Sequence, residues 1–407
     1  MIWTLLLIVP ALLLALPGLA LLLQVLGARR LARAAAAAPA QPTTWADGPA
    51  VDGTVAVLIP AHDEAAGIER TLRQVRAQLR PGDRLLVVAD NCSDDTAAIA
   101  RAAGAEVTER VDRERRGKGW ALDHGRNVLR DEARQAPDRA PAWLVILDAD
   151  CTLQPGCLPR LVRRCAQLGL PVQARYLLHA PDERLKSRVS AFAVRLKNRV
   201  RPLGMQALGL PCGLYGSGMA LPFALAAQAP LASGHIAEDM QLGLHLAQQG
   251  LAPQFCDEAV VDSVLAANAE GAGTQRTRWE HGHLSLLLRE GPGMLWRAAT
   301  AGRWRALGMI ADLLIPPLVL TLALQLAGLA ALGLLTLAGA PAWIAGLAAV
   351  GVAGWVIAVL LARQWFAADL LGWRDLAYAP LYIAGKLPLY LRFLSGRRSG
   401  WIRTRRD

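Results

Sequence analysis

Trp143-Leu144-Val145-Ile146-Leu147-Asp148-Ala149-Asp150 decides how this chain is read. Its first five residues form a continuous apolar run, the pattern of a strand covered on both faces. Two acids stand where the run ends. In open α/β sheets, ligands bind in the crevice beyond the carboxyl ends of the strands. Two carboxylates one residue apart at such an edge can share a hard divalent cation with a phosphate-bearing ligand. Taken alone, an Asp-x-Asp is more often an Asx-type turn with solvated acids. The surrounding sequence separates the two readings.

Upstream, a Pro/Ala/Gly-rich linker over residues 40–52 leads into alternating strands and helices. Residues 55–59 read as a strand ending at Pro60, and residues 67–79 as a helix stopped by Pro81-Gly82. A strand over 84–89 opens onto Asp90-Asn91-Cys92-Ser93-Asp94-Asp95. A helix over 95–103, a short strand over 106–108 and a helix from Gly119 follow. This alternation predicts a mainly parallel sheet with helices on both faces. The acid-rich loops all follow strands, so they gather on one edge. Downstream, residues 240–249 read as a helix that Gly250 ends. Neither Gly-x-Gly-x-x-Gly nor Gly-x-x-x-x-Gly-Lys-Ser/Thr occurs. A pyrophosphate bound here therefore needs a metal and basic side chains instead of a glycine cradle.

The two ends of the chain are apolar and raise the apolar fraction to 54%, above the ~45–50% usual in soluble proteins. Residues 1–27 carry no charge and are followed by Arg29, Arg30 and Arg33. That run exceeds the ~20 residues a bilayer requires. It lacks the basic start of a signal peptide and is too long for one, so it reads as a retained anchor. The arginines place the N-terminus outside and the middle of the chain inside. Residues 313–337, broken by Pro316-Pro317, and 342–362 are charge-free and form a hairpin about Ala340-Pro341. Residues 377–394 contain Lys386 and Arg392. Spanning there would put Arg397, Arg398, Arg403, Arg405 and Arg406 outside, so a membrane-surface or re-entrant segment is expected. The expected divisions are an anchor (1–27), a linker (28–52), a cytoplasmic catalytic domain (53–290), an interfacial segment (291–312), two spans (313–363), and a membrane-associated segment with a basic tail (364–407).

The net charge of +11 arises from 44 basic and 33 acidic residues, and much of the excess flanks the apolar segments. Anionic lipid is its partner, not nucleic acid. Only four of the basic residues are Lys. The six cysteines form no Cys-x-x-Cys pair, so reduced, mostly buried thiols are expected in place of a zinc or redox framework.

Seven motifs stand in order over roughly residues 55–285. They are Pro60-Ala61-His62-Asp63-Glu64, Asp90-Asn91-Cys92-Ser93-Asp94, Arg116-Gly117-Lys118-Gly119, Asp148-Ala149-Asp150, Gly216-Ser217-Gly218, Glu238-Asp239 and Gln275-Arg276-Thr277-Arg278-Trp279. The ordered set resembles membrane-embedded family 2 glycosyltransferases of the cellulose, hyaluronan and poly-N-acetylglucosamine synthase type. The resemblance implies an α/β GT-A type nucleotide-diphospho-sugar transferase domain flanked by transmembrane helices, in the plasma (bacterial inner) membrane. It implies inverting transfer from a nucleotide sugar, UDP-linked, to a growing surface polysaccharide. Ceramide-type glucosyltransferases resemble this layout too, which makes a membrane lipid the alternative acceptor. With about three spans, a polymer needs an export partner or an oligomer to complete a channel. A catalytically inactive scaffold is the remaining alternative, and the presence of Asp150, Asp239 and Arg278 speaks against it.

The resemblance also implies roles. Pro60, His62 and Glu64 border the nucleotide, Asp90 meets its base, Lys118 lies nearby, and Asp148 stands on the nucleoside side. Asp148 and Asp150 form the metal pair for Mg²⁺ or Mn²⁺, with Asp150 the direct ligand. Asp239 is the general base beside Glu238. Gly216, Ser217 and Gly218 form a loop near the acceptor. Gln275, Arg278 and Trp279 serve the diphosphate and acceptor; at i, i+3 and i+4 they share one helix face. Each position has a plainer use as well: Asp90 as a helix cap, Lys118 with Arg113, Arg115 and Arg116 as a solvated basic loop, and Asp239 as an acid at a helix start. His281 and His283, with no third ligand in sight, read as polar lining. Ala237 stands where the family often has Thr, which leaves acceptor placement open.

Overall fold

The computed structural model describes residues 2–39, 41–232, 237–266 and 269–378, together with Tyr382, Gly385, Lys386, Pro388 and Tyr390. The long helix α1 (Ile2–Ala37) leads into β1 (Val55–Ala61), α2 (Ile68–Arg76), β2 (Arg84–Asp90), α3 (Thr96–Ala102), β3 (Glu106–Arg110), α4 (Lys118–Gln135) and β4 (Trp143–Ile146). Then come β5 (Thr152–Leu153), α5 (Cys157–Leu168), β6 (Val172–His179) and α6 (Leu185–Arg195). A π-helical turn, Leu196–Val200, joins α6 to α7 (Arg201–Ala207). The sheet-bearing region closes with β7 (Met219–Pro222), α8 (Phe223–Ala226), α9 (Glu238–Gln248), β8 (Gln254–Val264) and α10 (Ala269–Arg289). The last helices are α11 (Gly291–Thr300), α12 (Trp304–Leu313), α13 (Leu318–Leu337) and α14 (Ala342–Phe366).

Among the described residues the strands form one eight-stranded sheet in the order β3-β2-β1-β4-β7-β6-β8-β5. The four strands of the first half are all parallel. β7 then enters antiparallel between β4 and β6, while β8 runs parallel to β6. The expected alternation therefore describes the first half, and the second half is mixed. Strand β1 sends Val55, Val57 and Ile59 into one core and Ala56 and Leu58 into the other, as a strand covered on both faces must. α2 covers the first core with Ile68, Leu72 and Val75, whose i, i+4, i+7 spacing makes one apolar stripe. Each such side chain contributes roughly 1.5–3 kcal/mol on burial. All six cysteines are free thiols, and five of them are buried.

Helices α1, α13 and α14 are long and apolar enough to cross a membrane. They pack directly on one another. A Cβ on Gly18 of α1 would run into the carbonyl oxygen of Gly351 of α14, and one on Gly351 would strike the backbone of Ala15. Such small-residue contacts let helix backbones approach closely. α13 joins them where Gln325 Nε2 donates to the Leu14 carbonyl at 2.8 Å. Helix α1 continues ten residues past residue 27, because Ala-rich sequence with Arg and Leu propagates a helix readily. α13 starts at Leu318, since Pro316-Pro317 ends the preceding helix and leaves Leu313 in α12. Most of residues 377–394, and the tail with Arg397, Arg398, Arg403, Arg405 and Arg406, lie outside the described residues.

Candidate active site

A cavity of about 640 Å³ opens at the carboxyl ends of β1, β2 and β4. Two non-glycine residues there adopt positive φ, Asp63 and Asn91, both at +52°. Asp and Asn tolerate that conformation better than most residues. The turns they make bring the two loops together: Asp63 accepts from the Ser93 amide at 2.6 Å, and His62 Nδ1 meets the Asp90 carbonyl at 2.7 Å. A carbonyl can only accept, so His62 carries its proton on Nδ1. Asp90 is 5% exposed. Its carboxylate accepts from Arg110 Nη1 at 2.6 Å and from Asn91 Nδ2 at 3.0 Å. Asp90 is thus no helix cap; the N-cap of α3 is Asp95, and Asp94 before it accepts from the Thr96 amide at 3.0 Å.

Lys118 opens α4 just after Gly117, whose φ of +118° suits only glycine. Its Nζ lies 2.5 Å from Asp148 Oδ1 and donates to the Gly216 carbonyl at 2.6 Å. Burial alone would lower its pKa. Asp148, Glu238 and Asp239 outweigh burial and hold the ammonium above its ordinary range. Lys118 is therefore no member of a solvated loop, although Arg113, Arg115 and Arg116 are exposed.

The Asp148-Ala149-Asp150 turn is fixed from behind. The Asp148 amide donates to Ser217 Oγ at 3.0 Å, and Gln173 Nε2 holds the Ser217 carbonyl at 2.8 Å. Ser217 is fully buried. Neither it nor Gly218 lines the cavity, whereas Gly216 does. The loop thus reaches the cavity through Gly216 alone, while Ser217 faces inward, where its hydroxyl holds the turn. Asp150 accepts from the Ser263 hydroxyl at 2.8 Å. Ligand atoms of Asp148, Asp150 and Cys151 lie within 4.8 Å of one another. Burial pushes the Cys151 thiol well above its ordinary pKa, so it stays protonated. Two carboxylates remain, a hard oxygen set that fits a divalent cation shared with substrate phosphates.

Across the cavity, Glu238 and Asp239 begin α9. Burial, with Asp239 adding to it, pushes the Glu238 carboxyl up to about 7 against the opposing pull of Lys118. Asp239 Oδ2 and Lys118 Nζ stand 3.4 and 3.5 Å from where a Gly216 Cβ would be. Gln275, Arg278 and Trp279 face the cavity from one side of α10, as their spacing requires. Gln275 is buried and accepts from the Ala266 amide at 3.4 Å. Pro60, His62, Glu64, Asp90, Lys118, Asp148 and Asp150 complete the expected residues found there. His281 and His283 are not lining. Both are buried outside the cavity, and His283 Nε2 donates to the Leu313 carbonyl at 2.6 Å. Burial lowers the His283 pKa to about 4.

Four further polar residues line the cavity without belonging to any motif: Tyr176, Lys197, Asn198 and Tyr215. Arg110, which anchors Asp90, also escaped notice. One signal was available for Lys197. The chain holds four lysines among 44 basic residues, and two of the four, Lys118 and Lys197, reach this cavity.

Parallel strands ending in an Asp-x-Asp turn, with a lysine locked onto the first acid and a carboxylate pair opposite, define a GT-A nucleotide-diphospho-sugar transferase. The chain belongs to the family described as Glycosyltransferase like family 2, whose model matches residues 52–282. Among solved structures it is similar to a mannosyltransferase from Pyrobaculum calidifontis in complex with GDP-Man and Mn²⁺. That match has 19% identity and a TM-score of 0.47, covering 95% of this chain and 100% of the other. It is also similar to glucosyl-3-phosphoglycerate synthase from Mycobacterium tuberculosis in complex with Mn²⁺, UDP and glucosyl-3-phosphoglycerate. There the identity is 22% and the TM-score 0.37, covering 59% and 81%. No curated protein matches the sequence.

Proposed function

We propose that this glycosyltransferase moves a hexose, with inversion, from a UDP-linked donor to a membrane lipid. The observation that carries the reading is that Lys118 and Asp239 both approach Gly216. One offers a fixed positive charge for a departing diphosphate, and the other a carboxylate for an acceptor hydroxyl. In the step, the acceptor oxygen bonds to the anomeric carbon as the bond from that carbon to the β-phosphate oxygen breaks. The hydroxyl proton passes to Asp239, and UDP leaves with the bonding electrons. Proton transfer of this kind is worth about 10²–10⁴-fold. Arg278 is positioned to steady the diphosphate and Trp279 to give a flat wall for a sugar ring. Asp148 and Asp150 would hold Mg²⁺ or Mn²⁺, which offsets the charge building on the leaving group.

In this reading residues 53–290 form the catalytic domain on the cytoplasmic face of the plasma (bacterial inner) membrane, and three spans hold it there. Arg29, Arg30 and Arg33 support that orientation. Residues 291–312 act as the interfacial segment: Trp296 and Trp304 are each 72% exposed, and Arg297, Arg303 and Arg305 accompany them.

The lipid acceptor is favoured by helix packing. Among the described residues, α1, α13 and α14 fill one another's facing sides and leave no lumen between them for a growing polymer. The second reading, a surface polysaccharide synthase of the cellulose or hyaluronan type, needs a second copy or an export partner. Purified protein in nanodiscs should release UDP from one member of a UDP-sugar panel with Mg²⁺ or Mn²⁺, and labelled product should partition into organic solvent. Release with label in a large, water-soluble product would favour the polysaccharide. No release from any donor would overturn the enzyme reading.

A further inference from the structure

The π-helical turn Leu196–Val200 sits between the membrane helices and the cavity. Leu196 and Val200 are buried in one cluster with Leu21 and Val25 of α1 and Ala358 of α14. Between them, Lys197 and Asn198 line the cavity. An inserted π turn re-aims side chains that a regular helix would point elsewhere, and such turns are frequent at functional sites. Asn198 is anchored, donating to the Tyr176 carbonyl at 3.0 Å. Lys197 has its Nζ over the Tyr215 ring, 5.8 Å from its centre, and makes no ion pair among the described residues.

The cavity's two lysines therefore differ. Lys118 is committed to Asp148 and the Gly216 carbonyl. Lys197 lies on the wall whose back is packed against the long apolar helices; burial lowers the pKa of its ammonium, while Asp239 and Glu280 pull the other way. Glu280 is itself engaged by Lys386. A cation kept in a partly enclosed site with no carboxylate bonded to it suits an incoming anion.

We infer that Lys197 reads a phosphate group on the acceptor, so that the lipid receiving the sugar carries a phosphate beside its nucleophilic hydroxyl. This rests on the transfer reading above and names its substrate class. Lys197 is a specificity residue here: it binds the acceptor and takes no proton in the step.

The test uses full-length enzyme in nanodiscs of neutral lipid and its UDP-sugar donor. The acceptors are phosphatidylglycerol, diacylglycerol and soluble glycerol 3-phosphate. The wild type should show a KM about tenfold lower for phosphatidylglycerol than for diacylglycerol, the scale of one charge-assisted hydrogen bond. Lys197→Gln should erase that difference by raising the KM for phosphatidylglycerol. It should lower transfer to phosphatidylglycerol by far more than it lowers UDP release by donor hydrolysis, and Lys197→Arg should retain the preference. Equal use of the two lipids by the wild type would overturn the inference. So would a Lys197→Gln variant that loses donor hydrolysis and acceptor transfer in equal measure, which marks a role at the leaving diphosphate or in folding. Glycerol 3-phosphate used as well as phosphatidylglycerol would keep the phosphate contact and overturn its delivery by lipid. Absence of UDP release under every condition would overturn the transfer reading itself, and this inference with it.

Discussion

On the sheet side of the cavity, Asp90, Asp148 and Asp150 each have a partner that the fold supplies. Asp90 is tied to Arg110 at the end of the neighbouring strand, Asp148 to Lys118, and the Asp148 amide to buried Ser217. On the helical side, Lys197, Tyr215 and Trp279 line the same space from elements backed by other helices, and Lys197 has no bonded counter-ion among the described residues. The difference teaches which wall is finished before substrate arrives. Fixed ion pairs hold the sheet wall in one geometry, as charge stabilisation in a reaction demands. The helical wall takes its support from the long apolar helices α1 and α14.

Perturbations should separate the two walls. The largest effect belongs to the sheet wall: chelating divalent cations should reduce UDP release to background, and added Mg²⁺ or Mn²⁺ should restore it. Turnover that persists in excess chelator would break the role given to Asp148 and Asp150.

Next comes acid stability, which reports on the back of the helical wall. The buried His283 imidazole has its pKa lowered to about 4 in the folded chain, below the 6.5 of an ordinary histidine. Above pH 6.5 neither state is protonated there and the group contributes nothing. As pH falls from 6.5 towards 4, the unfolded chain takes up a proton that the folded chain refuses, so stability declines. The full loss is about 3 kcal/mol. Thermal unfolding in detergent across that window should show the decline, and His283→Gln should flatten it.

A smaller effect is expected in the spans. Gly351→Ala would force α14 away from the Ala15 backbone, costing about 1–3 kcal/mol by overpacking. The melting temperature should drop while UDP release per folded molecule stays near wild type. An equal fall in both would mean that the spans shape the sheet wall as well. Smallest is Ser217→Ala, which leaves the buried Asp148 amide without its acceptor at a cost of about 1 kcal/mol. It should raise the metal concentration needed for half-maximal rate more than the acceptor KM. The reverse would return Ser217 to the acceptor side.

Most of the sheet wall was legible in the sequence, because it depends on local patterns. Apolar runs ending in acids gave β1, β2 and β4 and the loops after them. The i, i+3, i+4 spacing of Gln275, Arg278 and Trp279 gave their common face. Hydropathy gave the three apolar helices, and Pro316-Pro317 gave the break before α13. What stayed hidden depends on tertiary contact. Arg110 becomes Asp90's partner only through parallel register between β2 and β3. Ser217 turns inward only because β4 and β7 pair, and nothing local marks the π turn that brings Lys197 to the cavity. His283 misled for the same reason: its ring reaches the Leu313 carbonyl of α12, a contact that sequence spacing does not report.

The central claim is that Asp239 takes the acceptor proton opposite the metal-binding acids. Its most direct test compares Asp239→Asn with wild type at saturating donor and metal, measuring both UDP release and donor binding. The account predicts release lower by about 10²–10⁴-fold with donor affinity unchanged. Release by the variant within about threefold of wild type, where loss of a general base should cost at least ~10²-fold, would contradict it.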